Sequence, residues 1–227
     1  MTDTKAETTC QLTRVLIVDD HDLVRRGLAA LVEGDPQLEV CGHAVDVDAA
    51  MELVRTAKPN LIIVDISLKD SNGLDLIKQV RAYDNSILML VSSMHDESLY
   101  AERVLRAGAS GYVNKEEASD KVLDAIHTVL DGSIYLSPQI KSHVLLQLAE
   151  SSNGDDQPDI KKLSDRELEV FELIGRGRRT REIADNLHLS MKTIETYRDN
   201  IKTKLKLDTG TDLICRAVRW VIEQRLG

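Results

Sequence analysis

Four apolar residues, Leu61-Ile62-Ile63-Val64, run straight into a carboxylate at Asp65. A run that is apolar at every position reads as a strand covered on both faces, as in a parallel sheet between two layers of helices. In open sheets of that kind, ligands gather outside the carboxyl ends of the strands, so Asp65 falls where chemistry is done. A lone aspartate there can equally open a polar loop. The choice depends on what the other strand ends carry.

The residues before Ser133 repeat one pattern of strand, polar end and helix. Arg14–Val18 is a strand ending at Asp19-Asp20, followed by a helix from about Asp22 that turns Val24, Leu28, Leu31 and Val32 inward and stops at Gly34. Leu38–Ala44 is a second, weaker strand, and Asp46–Lys58 is helical until Pro59 stops it. After the strand that leads to Asp65, Asn72-Gly73 turns into a helix carrying Leu76, Ile77 and Val80. Ile87–Val91 is a fourth strand, ending at Ser92-Ser93, and Glu97–Ala107 is a helix closed by Gly108. Gly111–Val113 is a short fifth strand ending at Asn114-Lys115, and Ala118–Leu130 is a helix with Val122, Ile126 and Val129 inside. Five such alternations predict an α/β doubly wound, five-stranded parallel sheet. Crossovers in these sheets are right-handed, so the strand ends share one edge. Asp19, Asp20, Asp65, Ser93 and Lys115 then meet. Carboxylates crowded together repel unless a cation neutralises them, and oxygen-only ligands favour Mg2+. A lysine and a hydroxyl beside the metal suit a bound phosphoryl group.

With this residue set the N-terminal part, roughly 12–133, resembles the receiver domain of bacterial two-component response regulators. The resemblance implies a flavodoxin-like fold. It implies that Asp65 takes a phosphoryl group from a phosphohistidine on a sensor histidine kinase. Asp20, Asp65 and the backbone carbonyl of Ser67 would bind Mg2+, with Asp19 acting mostly through a coordinated water. Ser93 would hydrogen-bond the phosphoryl oxygens, Lys115 would pair with their charge, and Tyr112 would be the aromatic that rotates inward as Ser93 moves. Tyr112 can also be read as an aromatic filling an edge of the fold. Many relatives have a proline after this lysine; here Glu116-Glu117 follow.

The net charge of −9 conceals a split. Lys161–Gly227 carries 15 Lys and Arg against 11 Asp and Glu, which leaves 14 against 27 in the first 160 residues. An acidic front and a basic back point to two modules, the second suited to a polyanion. Between them, Pro138 can open a helix carrying Ile140, Val144, Leu145 and Leu148, and Ser151–Asp159 is a polar stretch that reads as a flexible linker.

The back module opens with Ser164 as N-cap and Glu167 three residues on, a capping box. Leu168, Phe171 and Ile174 recur along that helix until Gly175 and Gly177 end it. A short helix over about Arg181–Leu187, a turn at Leu189 and a longer helix after Ser190 make a helix-turn-helix. On the longer helix Ile194, Ile201 and Leu205 share a face that must be buried. Lys192, Thr196, Asp199 and Thr203 lie opposite, with Glu195 at the shoulder. Those residues can enter a major groove, while Arg198, Lys202, Lys204 and the loop arginines suit phosphates. A solvated face in an interaction module has the same pattern.

The wording LSDRELEV…TREIADNLHLSMKTIETYRDNIKTKLKL resembles the LuxR-type, or NarL/FixJ-type, DNA-binding domain across almost all of 161–227. The resemblance implies an all-α four-helix domain. Glu195, Thr196 and Asp199 would face base edges of double-stranded DNA, while Lys192, Thr193, Tyr197, Arg198 and Lys202 lie near the backbone. Arg179 and Arg181, in the loop before, would join them. The last helix, with Ile214, Val218 and Val221 on one side, would pair two chains or pack on its own core. Tyr197 stands where many relatives have histidine, and an acid at Glu195 favours a cytosine amino group.

The expected organisation is a polar tail over 1–11, a receiver over 12–135, a linker helix and flexible linker over 136–160, and a DNA-binding domain over 161–227. The expected function is a phosphorylation-controlled transcriptional regulator that dimerises when phosphorylated, and not an enzyme beyond its own phosphoryl transfer and dephosphorylation. Three scattered cysteines and no membrane-length apolar stretch lead to an expectation of a cytoplasmic protein without membrane association. A phosphohydrolase built on Asp65 would want a second acid two residues on, where Ser67 stands. A ligand-gated quorum sensor would want an aromatic-rich pocket, against 3% aromatic residues here. A receiver that needs no phosphorylation would not require the complete acid set.

Overall fold

The computed structural model describes residues 12–68, 71–95, 97–117, 119–138, 140–141 and 159–226. The N-terminal tail, the body of the expected linker helix and the polar linker lie outside them. The first half contains β1 (Thr13–Val18), α1 (Asp22–Glu33), β2 (Leu38–Ala44), α2 (Val47–Ala57) and β3 (Leu61–Val64). It continues with α3 (Gly73–Tyr83), β4 (Leu88–Ser93), α4 (Glu97–Ala107), β5 (Gly111–Asn114) and α5 (Ser119–Leu130). The five strands form one sheet in the order β2-β1-β3-β4-β5, every pair parallel.

Register is what gathers the polar strand ends. Val18, Val64, Val91 and Tyr112 lie in one row across four strands. The next residues along β1 and β3 are Asp19 and Asp65, and Ser93 pairs with Asn114 immediately before Lys115. Two loop hydrogen bonds hold this row, Asp65 N–H to Val18 O at 2.9 Å and Lys115 N–H to Ser93 O at 3.0 Å.

Both faces of the sheet are covered, as the unbroken apolar run required. Val15, Ile17, Leu61, Ile63, Leu90 and Val113 pack with the inner sides of α1 and α5. Leu16, Val18, Ile62, Val64, Met89 and Val91 pack with those of α2, α3 and α4. Local signals set the helix ends. Asp46 accepts from Ala49 N–H and caps α2, and Asn72 accepts from Leu74 N–H and caps α3. Past the last helix of this half, Tyr135 forms a parallel bridge to Gly111, so the expected extended piece adds to the β5 edge.

The second half holds a 3-10 turn (Asp159–Lys162) and four helices: α6 (Asp165–Gly175), α7 (Thr180–Asn186), α8 (Met191–Leu205) and α9 (Gly210–Leu226). The expected capping box forms: Glu167 N–H donates to Ser164 Oγ, and Ser164 N–H to the Glu167 carboxylate at 2.7 Å. That carboxylate also takes the Lys204 ammonium at 2.6 Å, tying α6 to α8. Ile194, Ile201 and Leu205 are buried, as their spacing along α8 demands. On α9 the core side is Leu213, Ala217 and Trp220; Ile214 and Ile222 stay exposed on another side. Of the side carrying Ile214, Val218 and Val221, expected either to pair two chains or to pack on the core, Val221 packs against the core and Ile214 stays exposed, because Leu213, Ala217 and Trp220 fill the inner stripe.

Gly73 begins α3 directly beside the backbone of Asp65. A Cβ there would come within 2.0 Å of the Asp65 carbonyl oxygen. Gly73→Ala should therefore lower stability by at least about 1–3 kcal/mol, the usual cost of overpacking, and shift the Asp65 backbone. Chemical denaturation, with chemical-shift changes at residues 64–67, measures both.

Candidate functional site

Three acids and one lysine meet at the rim of the sheet. Lys115 Nζ lies 2.6 Å from Asp19 Oδ2 and 2.6 Å from Asp65 Oδ2. Both carboxylates are nearly inaccessible, at 1% and 4% exposure. Burial raises the Asp65 pKa, the Lys115 charge opposes that, and the Asp19 charge adds to it; the result stays above the ordinary value. Burial works to lower the Lys115 pKa, but the two carboxylates prevail and hold it above the usual lysine value. Asp65 Oδ1 is buried without a hydrogen-bond partner. Asp19, Asp20, His21 and Asp65 bring four ligand atoms within 4.8 Å of one another. His21 Nδ1 stands 2.7 Å from Asp20 Oδ1 on an exposed side chain.

Ser93 is buried at the end of β4, next to this cluster in the register of the sheet. Tyr112 is fully buried and donates from its hydroxyl to the His95 carbonyl oxygen at 2.7 Å. Burial pushes its pKa well above the ordinary tyrosine value. The ring thus points into the fold. Glu116, in place of the common proline, leaves Lys115 in contact with both acids.

The side chains expected to read DNA lie on α8, with Arg179 just before α7 and Arg181 in its first turn. Lys192, Glu195, Thr196 and Asp199 are exposed, as are Arg179 and Arg181; Thr193, Tyr197, Arg198 and Lys202 are half-buried. Glu195 accepts from the Thr180 hydroxyl at 2.9 Å and lies 3.5 Å from Arg198, and Lys202 pairs with Asp199 at 2.9 Å. This face of α8 is thus partly neutralised by its own neighbours.

The pattern of the sequence did not reveal a polar contact between the two halves. Glu169 and Glu172 of α6 are buried at 0% and 2% exposure. Ser67 Oγ donates to Glu169 Oε1 at 2.6 Å, and His95 Nε2 lies 2.9 Å from Ser67 Oγ. His95 Nδ1 lies 3.0 Å from Glu172 Oε2, which also accepts from the Tyr100 hydroxyl at 3.5 Å. The single Ser67 proton is given to Glu169, so Nε2 must donate; Nδ1 faces a carboxylate oxygen, so it must donate too. This arrangement favours the protonated ring. Burial works to lower its pKa, but the Glu172 hydrogen bond and charge, with Glu169, leave it raised. Arg103 donates to Leu163 O and Asp165 Oδ1, each at 2.9 Å, and Lys78 pairs with Asp165 at 3.0 Å. Two glutamates three residues apart look like a solvated helix face; a local signal that they are buried is lacking.

A doubly wound sheet with an acid-and-lysine rim, followed by a helix-turn-helix, defines a switch joined to a DNA reader. Two family models divide the chain in that way. The response regulator receiver domain matches residues 15–127, and the luxR family of bacterial regulatory proteins matches residues 161–217. The chain is 32% identical over 208 residues to the response regulator GacA of Pseudomonas aeruginosa, covering 92% of this chain and 96% of that protein. It is 33% identical over 210 residues to the transcriptional regulatory protein LiaR of Bacillus subtilis, covering 92% and 98%. RcsB of Salmonella enterica serovar Typhimurium, solved on promoter rprA with the phosphomimetic BeF3−, matches at 26% identity and a TM-score of 0.59 over 90% of this chain and 97% of that one. The chain belongs to the response regulators that join a receiver domain to a LuxR-type DNA-binding domain.

The contact between the halves generates a direct expectation. Removing both α6 carboxylates while the halves stay docked would leave the buried His95 ring and the Ser67 and Tyr100 hydroxyls without their acceptors, at a cost of about 1–3 kcal/mol for each group left unsatisfied. Glu169→Ala with Glu172→Ala should therefore separate the halves. Small-angle scattering should give a larger radius of gyration, and hydrogen exchange should rise along α6 and α4, with the secondary structure retained.

Proposed function

We propose that Asp65 accepts a phosphoryl group from the phosphohistidine of a sensor histidine kinase and that this controls transcription through the DNA-binding half. The observation that carries the reading is the Lys115 ammonium spanning Asp19 and Asp65 at 2.6 Å each. An ammonium so placed neutralises charge on the phosphoryl oxygens as the bond to Asp65 forms. Ser93, at the neighbouring strand end, donates its hydroxyl to a phosphoryl oxygen. Tyr112, already inward, holds the loop after β4 through the His95 carbonyl.

The residues present fit Mg2+. The donors are carboxylate oxygens converging within 4.8 Å, and one Asp65 oxygen is buried without a partner. Asp20, Asp65 and the Ser67 backbone carbonyl would hold the ion, with Asp19 acting through water; His21, a nitrogen donor, suits Asp20 as an outer partner. The ion supplies charge neutralisation at the phosphoryl oxygens. The receiver catalyses only its own phosphoryl transfer and dephosphorylation.

The regulator consists of a polar tail over 1–11, a receiver over 12–135, a linker over 136–160 and a DNA-binding domain over 161–227. Glu195, Thr196 and Asp199 on α8 face base edges in the major groove. Lys192, Thr193, Tyr197, Arg198, Lys202, Arg179 and Arg181 engage the backbone. The exposed apolar side of α9, with Ile214, Val218 and Ile222, pairs two chains, so the phosphorylated protein works on DNA as a homodimer. Among the described residues, no helix is long and apolar enough to cross a membrane. DNA as the partner sets the place of action in the cytoplasm.

Asp65→Ala should abolish Mg2+-dependent acyl-phosphate labelling while leaving the circular dichroism spectrum intact; labelling that persisted elsewhere would reject the assignment. Lys192→Ala and Lys202→Ala should each weaken DNA binding about equally on all sequences and lower the salt-dependence slope by about one unit per site, measured by fluorescence anisotropy.

A further inference from the structure

One hydrogen bond on the outer surface of the DNA-binding half crosses between two helices. The Thr180 hydroxyl, on the first residue of α7, donates to Glu195 Oε1 on α8 at 2.9 Å. Thr180 is itself held in place, because Arg179 N–H donates to the Glu182 carboxylate at 2.8 Å at the start of the same helix. The other oxygen, Glu195 Oε2, faces Arg198 Nε at 3.5 Å, and the Arg198 side chain is 17% exposed. Glu195 is therefore fixed from two sides and still exposed. The two helices do not depend on this bond to pack, since Ile183, Leu187 and Ile194 are already buried in one apolar core.

Phosphates repel a carboxylate brought into the major groove, so it needs a hydrogen-bond donor in return. A carboxylate offers about four acceptor positions and no donor. Thr180 and Arg198 leave some of these open. In the major groove guanine shows two acceptors, thymine an acceptor and a methyl group, and adenine an acceptor beside its amino group; cytosine shows an amino donor alone. Only cytosine meets a carboxylate without setting acceptor against acceptor. Asp199, one turn further on, pairs along its own helix with Lys202 at 2.9 Å, a contact that no second helix fixes.

We propose that Thr180 is a positioning residue that aims the Glu195 carboxylate at the amino group of a cytosine, so that the pair selects a C·G base pair in the operator. The proposal rests on α8 as the helix that reads DNA. A glutamate side chain loses rotamer freedom when it binds. Here Thr180, anchored on another helix, sets the carboxylate before DNA arrives. The bond spans the turn of the helix-turn-helix, and base choice then depends on a side chain outside the reading helix.

The full chain, with Mg2+ and beryllofluoride, selects duplexes from a randomised pool, and fluorescence anisotropy gives affinities for the selected site and its single-base variants. The wild type should require cytosine at one position of each half-site. Glu195→Gln should move that preference to adenine, whose N6 and N7 match an amide, by at least about fivefold. Thr180→Val should cut the cytosine-over-adenine ratio about two- to tenfold, the scale of ordering one side chain on binding. Thr180→Ser should restore it. Replacing the cytosine by 2-pyrimidinone, which lacks the amino group, should weaken wild-type binding about fivefold and leave Glu195→Ala unaffected. An unchanged base profile in Glu195→Gln overturns the proposal. So does a wild-type ratio in Thr180→Val, which would reduce the bond to a tie between α7 and α8. A wild type that selects a site without that cytosine overturns the proposal alone, whereas one that selects no sequence removes the DNA-reading assignment with it.

Discussion

Buried carboxylates at the end of a parallel sheet repel one another, and a single ammonium answers two of them. At an effective dielectric constant near 20, unit charges about 4 Å apart interact by about 4 kcal/mol. Without Lys115 the rim would have to take up protons or open. The position of that lysine is decided far from it, by the pairing of Ser93 with Asn114 and by the helices that cover both faces of the sheet. The geometry of the site is therefore a property of the whole sheet. A site of this kind is primed for an incoming charge: it already holds acids for a cation and a cation for a phosphate.

The second electrostatic arrangement joins the halves. Glu169 and Glu172 are satisfied by Ser67, His95, Tyr100, Arg166 and Arg176, and three of these five belong to the receiver. Two of those three, Ser67 and His95, lie within two residues of Asp65 and Ser93. The docked helix thus grips the loops that follow β3 and β4. The buried apolar cluster also runs without a break from Tyr100 and Leu74 into Leu163, Leu168 and Phe171. Meanwhile Lys192, Glu195, Thr196 and Asp199 remain exposed. The docked arrangement covers Asp65 and leaves these α8 side chains open.

Much of this architecture was legible in the residues. The unbroken apolar run at Leu61–Val64 required a doubly covered strand, and one such strand implied a shared edge for the others. Ser164 and Glu167, three apart, located the start of α6, and Ile194, Ile201 and Leu205 located the inner face of α8. Failures came where partners are distant in sequence. Glu169 and Glu172 meet Ser67, His95 and Tyr100 across 72 to 102 residues, and local periodicity carries no trace of such a pairing. On α9 two apolar stripes compete, and spacing alone cannot say that Leu213, Ala217 and Trp220 outweigh Ile214 and Ile222. The choice is made by Gly175, which lets α9 approach so closely that a Cβ would meet the Ala217 carbonyl at 2.5 Å.

The one tryptophan of the chain sits at this crossing. Trp220 is 6% exposed and its ring lies 5.3 Å from Phe171, on the same helix as Glu169 and Glu172. Its indole is thus a built-in optical probe, coupled to the helix that docks and remote from the rim acids. Emission from a single native chromophore can follow the motion of that helix in solution, with no dye attached and no residue changed.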